Sequence, residues 1–338
     1  MNKKRVLAML LAGAMALSMT ACGGNSASTD GSSNDGGASA SGGSYKVSVI
    51  LKTLAAEYWQ YVKSGAEDYA SEHSDKVTVE VKGPSSETAF DEMQNMIETD
   101  LSSGSYDGVI ISPLQSDTAA QLVSGTKLPI VAIDTNFTAP EVKSFVGTGN
   151  EAAAKKGGEA AVEAAKAAGW TDIKCIEIAG VQGDQTNTAR MNGYKAGVEE
   201  AGGTFLSDEV QYADATADRA TTAMEAIMQT HPEGIAIICA NNDDMAMAAA
   251  RAAQGHDAYK NTIFLGFNGD RAACEAILAG QMTMSVAQMA YEMGYKAVET
   301  MVQVLDGETV DEFVDSGSDV VTPDNAQERL GTLKTQLH

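Results

Sequence analysis

Basic residues, histidine, cysteine and long apolar runs are all scarce in this chain of 338 residues. Lys and Arg number 23 against 46 Asp and Glu, a formal net charge of −23. A surface so acidic repels phosphate backbones and anionic headgroups, so a nucleic-acid partner is not expected. The histidines (His73, His231, His256 and His338) are scattered, and no cysteine stands at metal-ligand spacing, so no metal site is expected. Cys175 and Cys239 lie inside apolar, strand-like runs, where a buried, inert thiol is the usual outcome. No Ser-His-Asp order, nucleophile elbow or phosphate loop occurs, so neither a catalytic residue nor a cofactor is assigned. What remains is 44% hydrophobic and 20% charged, enough for one large domain or two ordinary ones with a sizeable core.

The N-terminus is informative. Lys3, Lys4 and Arg5 precede an apolar run from Val6 to Met19, which suits an export signal and is too short for an ordinary spanning helix. It ends in Leu17-Ser18-Met19-Thr20-Ala21-Cys22, which resembles a bacterial lipobox. That resemblance implies cleavage after residue 21, acylation of Cys22, and a lipid anchor in the outer face of the cytoplasmic membrane, at the cell surface or in a periplasm. Loss of the three cations takes the net charge from −23 to −26. Residues 23–44 are almost entirely Gly, Ser, Ala, Asn, Asp and Thr and bury too little to fold. As a flexible chain they span roughly 25 Å, so 22–44 reads as a lipidated cysteine and its tether.

From Tyr45 onward, short β-rich runs alternate with helical patterns, about ten times over. Strands are expected at Val47–Leu51, Val77–Val81, Gly108–Ile111, Pro129–Ile133, Ile173–Ile178, Ile235–Cys239, Ile263–Gly266 and Met282–Ala287. Several are continuously apolar, as parallel strands covered on both faces are. Helices are expected at Glu57–Ser71, Asn150–Ala168 and Asn187–Ala201, the last two closed by Gly169 and Gly202. This is an α/β, doubly wound pattern, and ten such units divide more readily between two lobes than within one sheet.

In that architecture ligands bind beyond the carboxyl ends of the strands. Those positions are polar here: Lys52-Thr53, Asp134-Thr135-Asn136, Gln182 to Asn187, Asn241 to Asp244, Asn268-Gly269-Asp270 and Gln288. Helix capping explains any one of them. Six strand ends with the same chemistry point to a shared site.

These segments, in order, resemble the ribose- and allose-type periplasmic sugar-binding proteins, relatives of the ligand-binding half of Lac-type repressors. The likeness runs from Lys46 to about Gly307. It is carried by Val49 to Leu54 with Tyr58-Trp59, by Pro129 to Asp134, by Arg190-Met191-Asn192-Gly193-Tyr194, by Cys239 to Met247, by Gly266 to Gly269 and by Gly280 to Gln288. It implies a type I periplasmic-binding-protein fold: two Rossmann-like lobes joined by a three-strand hinge. The lobes would be 45–148 plus 289–317 and 149–288 plus 318–338.

The resemblance further implies a monomeric binding component of an ABC-type sugar importer, with permease subunits as partners. The alternative is a sensor that presents its ligand to a membrane receptor. The ligand would be a monosaccharide or related polyol, held by Asp134 as hydroxyl acceptor and Arg190 as donor. Asn242, Asn268 and Gln288 would supply amides, Tyr58 and Trp59 the aromatic wall. Thr135 stands on the same strand end, and Lys52 either touches ligand or forms an ion pair at the cleft edge. Ribose binders differ at Ala56, Thr135, Asn268 and near Ala215 or Ala217, so an allose-like sugar, another hexose, a ketose or a cyclitol fits better than ribose.

Overall fold

The computed structural model describes residues 44–337; the export signal, Cys22 and all but the last residue of the tether lie outside them. The chain opens with β1 (Tyr45–Ile50), α1 (Glu57–Glu72), β2 (Val77–Lys82), α2 (Phe90–Ser103), β3 (Gly108–Ile111), α3 (Ser116–Val123), β4 (Ile130–Ile133) and β5 (Val142–Gly147). It continues through α4 (Asn150–Ala167), β6 (Lys174–Ala179), α5 (Gln185–Glu200), β7 (Thr204–Phe205), β8 (Gln211–Tyr212) and α6 (Ala217–Thr230). There follow β9 (Ile237–Ala240), α7 (Asp243–Ala253), β10 (Ile263–Asn268), α8 (Arg271–Leu278) and β11 (Met284–Gln288). The last elements are α9 (Ala290–Leu305), β12 (Phe313–Asp315), β13 (Ser318–Val321) and α10 (Ala326–Gln336).

Among the described residues the strands form two sheets. One has the order β12-β5-β4-β3-β1-β2, the other β13-β11-β10-β9-β6-β7, with β8 also against β6. Only β11 and β13 pair antiparallel. The central strands β3, β4 and β9 are buried along their whole length because helices cover both faces. Each sheet with its helices is one lobe, and the fold is α/β with two doubly wound layers.

The chain passes between the lobes after Gly147, after Gln288 and between Asp315 and Ser318. The first and third crossings are tied, since Ser316 donates its amide to the Gly147 carbonyl at 2.8 Å. In the first lobe α1 and α9 cross at glycines: a Cβ on Gly65 would fall 1.9 Å from the Tyr291 carbonyl oxygen, and one on Gly294 1.9 Å from that of Val62.

The main strands fall within one or two residues of the apolar runs, but five short or half-exposed strands were not foreseen. Among them β5 (VKSFVG) mixes polar with apolar positions, β12 is largely exposed, and β13 is half-buried with Val321 alone fully covered.

Candidate functional site

In both sheets the order reverses beside the first strand of the lobe, between β1 and β3 and between β6 and β9. Crevices open at such points. Register brings the carboxyl ends level, with Ile50 beside both Lys82 and Ile111, and Ile178 beside Ala240. Side chains beyond those ends therefore face one another across the gap between the lobes, where a cleft of about 600 Å³ lies. That is an ordinary size for a small-molecule site.

Asp134 follows β4 with a left-handed backbone (φ 64°), a conformation Asp tolerates at some cost. It is 4% exposed. The Tyr58 hydroxyl donates to its Oδ2 at 2.8 Å and Thr135 Oγ1 to its Oδ1 at 3.0 Å. Burial, and then the Asp134 charge, push the Tyr58 phenol well above its ordinary pKa, so it stays a donor. Trp59 stands edge-on to Tyr58, centroids 5.0 Å apart, and gives its indole N–H to Glu87 Oε1 at 2.8 Å.

Lys52, beyond β1, is an ion-pair partner. Its Nζ lies 3.9 Å from Asp134 in its own lobe and 3.7 Å from Asp184 in the other. Burial opposes its charge, but the carboxylates of Asp184, Asp134 and Glu87 outweigh burial and raise its pKa.

From the second lobe Arg190 reaches the cleft off α5. Its Nε donates to Asn150 Oδ1 and its Nη1 to the Asn241 carbonyl, both at 2.8 Å. The guanidinium carbon sits 3.8 Å from the centroid of the Phe267 ring, a stacked cation–π contact that fixes its plane. Neither bond uses Nη2. Gln288, 1% exposed at the end of β11, donates from Nε2 to Asn268 Oδ1 at 2.9 Å, while its own Oε1 has no partner. Asn268 has φ 135°. Asn242 lines the cleft but is largely committed elsewhere: its Oδ1 caps α7 through the Met245 amide, and its Nδ2 donates to the Ala215 carbonyl.

The cleft thus gathers Lys52, Tyr58, Trp59, Asp134, Arg190, Asn242, Asn268 and Gln288. Thr135 departs from expectation. It does not line the cleft; it is 1% exposed, braces Asp134, and meets Thr186 Oγ1 of the other lobe at 3.2 Å. Having turned its hydroxyl onto the carboxylate, it is a support behind the wall.

Sequence reasoning missed Glu57, Glu87, Asp214 and Asp270 as lining residues. Asp270 lay within a strand-end segment and caps α8, and burial raises its carboxyl to about 6. Nothing local marks Glu87, which follows an edge strand in a plain Ser-Ser-Glu-Thr loop. Glu57 pairs with Arg271 across the lobes at 3.2 Å, a contact that exists only in the folded molecule. Among the described residues, no group of three His, Cys, Asp or Glu is placed to hold a metal ion, and no helix is long and apolar enough to cross a membrane.

The cleft offers acceptors and donors in fixed planes beside an aromatic edge, which suits a ligand rich in hydroxyls. Comparison with known proteins agrees in family. The model of the periplasmic binding protein domain matches residues 47–309. The chain belongs to that family. This periplasmic binding protein is 30% identical over 264 residues to the D-allose-binding periplasmic protein of Escherichia coli, covering 75% of this chain and 82% of that one. It is 27% identical to the ribose import binding protein RbsB of the same organism, over 78% and 86% of the two chains. Among solved structures, a solute-binding protein from Mycobacterium smegmatis with bound glycerol aligns with a TM-score of 0.72 at 25% identity, over 85% and 96% of the chains. One from Agrobacterium vitis with bound D-fucose gives 0.74 at 24% identity, over 87% and 100%.

Proposed function

We propose that this protein is the extracytoplasmic binding component of an ABC-type sugar importer. It captures one monosaccharide or related polyol by closing its two lobes, without turnover. The observation that carries the reading is the meeting of Asp134, Arg190 and Gln288, remote in sequence, around one cleft. The relatives' names and the ligands of the fold neighbours point to the same class: ribose, allose, D-arabinose and myo-inositol.

In this reading Asp134 accepts from neighbouring hydroxyls, Arg190 donates from Nη2, and the orphan oxygen of Gln288 takes a hydroxyl proton. Trp59 and Tyr58 pack on the C–H face of the ring. The lobes comprise 45–148 plus 289–317 and 149–288 plus 318–338. A ligand touching both completes its contacts only in the closed form and so favours closure. Thr135–Thr186, Lys52–Asp184 and Glu57–Arg271 already bridge the lobes and bias them that way. Export, acylation at Cys22 and a tether near 25 Å would hold the monomer beside its permease.

The test is a thermal-shift panel of pentoses, hexoses, ketoses and cyclitols, together with mass spectrometry of small molecules released from protein purified without refolding. A true ligand at a hundred times its dissociation constant adds about 2.7 kcal/mol of stability. A panel with no shift and an extract with no sugar refutes the reading.

A further inference from the structure

The loop between β2 and α2 supplies a cleft residue that the pattern of strand ends does not mark. A Cβ on Gly83 would lie 2.8 Å from the Leu51 carbonyl oxygen and 3.1 Å from Thr53 Cα, so glycine lets this loop fold directly against the β1–α1 turn. Held there, Glu87 lines the cleft and its Oε1 receives the Trp59 indole proton at 2.8 Å. Trp59 is 3% exposed, and a buried indole N–H left without an acceptor is costly. A carboxylate makes the strong form of this bond. The bond fixes the turn of the ring about its side chain. The ring in turn stands edge-on (83°) to Tyr58, whose hydroxyl is bound to Asp134. Glu87, Trp59, Tyr58 and Asp134 therefore form one chain of contacts along the first-lobe wall.

We propose that Glu87 is a positioning residue that sets ligand selectivity by locking the Trp59 indole as the cleft's aromatic wall. The consequence for affinity rests on the sugar-capture reading; the consequence for the indole does not. The sequence has two tryptophans, and Trp170 lies elsewhere, bonded to the Asn261 carbonyl. A W170F background therefore leaves Trp59 as the sole reporter.

In that background E87A is expected to shift the emission to the red and raise quenching by acrylamide. E87Q, whose amide oxygen can accept the same proton, should keep the parent spectrum. With D-allose and myo-inositol as probes, E87A should weaken the better binder about tenfold. E87Q should stay close to wild type, and the E87A/W59F double variant should bind no more weakly than W59F alone. An unchanged spectrum in E87A overturns the proposal, as do losses from E87A and W59F that simply multiply. If neither probe nor any sugar of the wider panel binds the wild type, the sugar reading falls, and the spectra of E87A and E87Q still decide the role of Glu87.

Discussion

Glu177 in β6 is fully buried, and neither carboxylate oxygen has a hydrogen-bond partner. Burial raises its pKa from 4.5 to about 8 despite the nearby Asn241 amide and Arg190 charge, which pull it down. At neutral pH the folded protein keeps this proton while the unfolded chain has released it. Between about 4.5 and 8 the native state therefore binds more protons than the unfolded one, and stability falls as pH rises. The slope for one such group is about 1.4 kcal/mol per pH unit, so the whole window is worth on the order of 4 to 5 kcal/mol. E177Q keeps the shape and removes the titration. Asp243, raised by burial and by the charge of Asp270, and Asp270 itself, raised to about 6, titrate with the same sign. They stay in both proteins and cancel in the difference. Denaturant unfolding of the wild type and E177Q from pH 4.5 to 9 should give nearly equal stabilities at the acid end and a Gln variant several kcal/mol more stable at the alkaline end. A difference independent of pH, or one that shrinks as pH rises, would refute the reasoning.

Other expectations follow from particular contacts. Arg190→Lys loses the fork that holds Asn150 and the Asn241 carbonyl at once; ligand affinity by calorimetry should drop roughly a hundredfold. E57Q removes a partly exposed pair across the lobes, so affinity should fall by about fivefold at most at low salt and the effect should vanish at high salt. An unchanged salt dependence would show that the pair does not aid closure. G294A drives a methyl into the Val62 carbonyl and should cost about 1–3 kcal/mol or more, read as a lowered melting temperature.

The sequence displays what is local. Continuous apolar runs mark β3, β4 and β9 because these strands are covered on both faces, and polar residues just after β4 and β9 mark the cleft. Strands whose stability comes from a neighbour carry little of that signal: β12 exists because β5 pairs with it, and β7 and β8 are two residues each. The site was partly readable for the same reason. Asp134 and Gln288 stand at strand ends and could be named, whereas the turn of Thr135 away from the cleft depends on side-chain packing. Glu87 reaches Trp59 across 28 residues of sequence, and Lys52 finds Asp184 from the opposite lobe. Such meetings are products of the fold, and no spacing encodes them.

The central claim is tested most directly by a crystal structure of the protein saturated with a sugar that raises its melting temperature. One molecule should occupy the gap between the sheets, with hydroxyls in hydrogen-bond reach of Asp134, Arg190 and Gln288 and a C–H face against the Tyr58–Trp59 wall. A sugar bound elsewhere on the surface, with that gap still filled by solvent, would contradict the account.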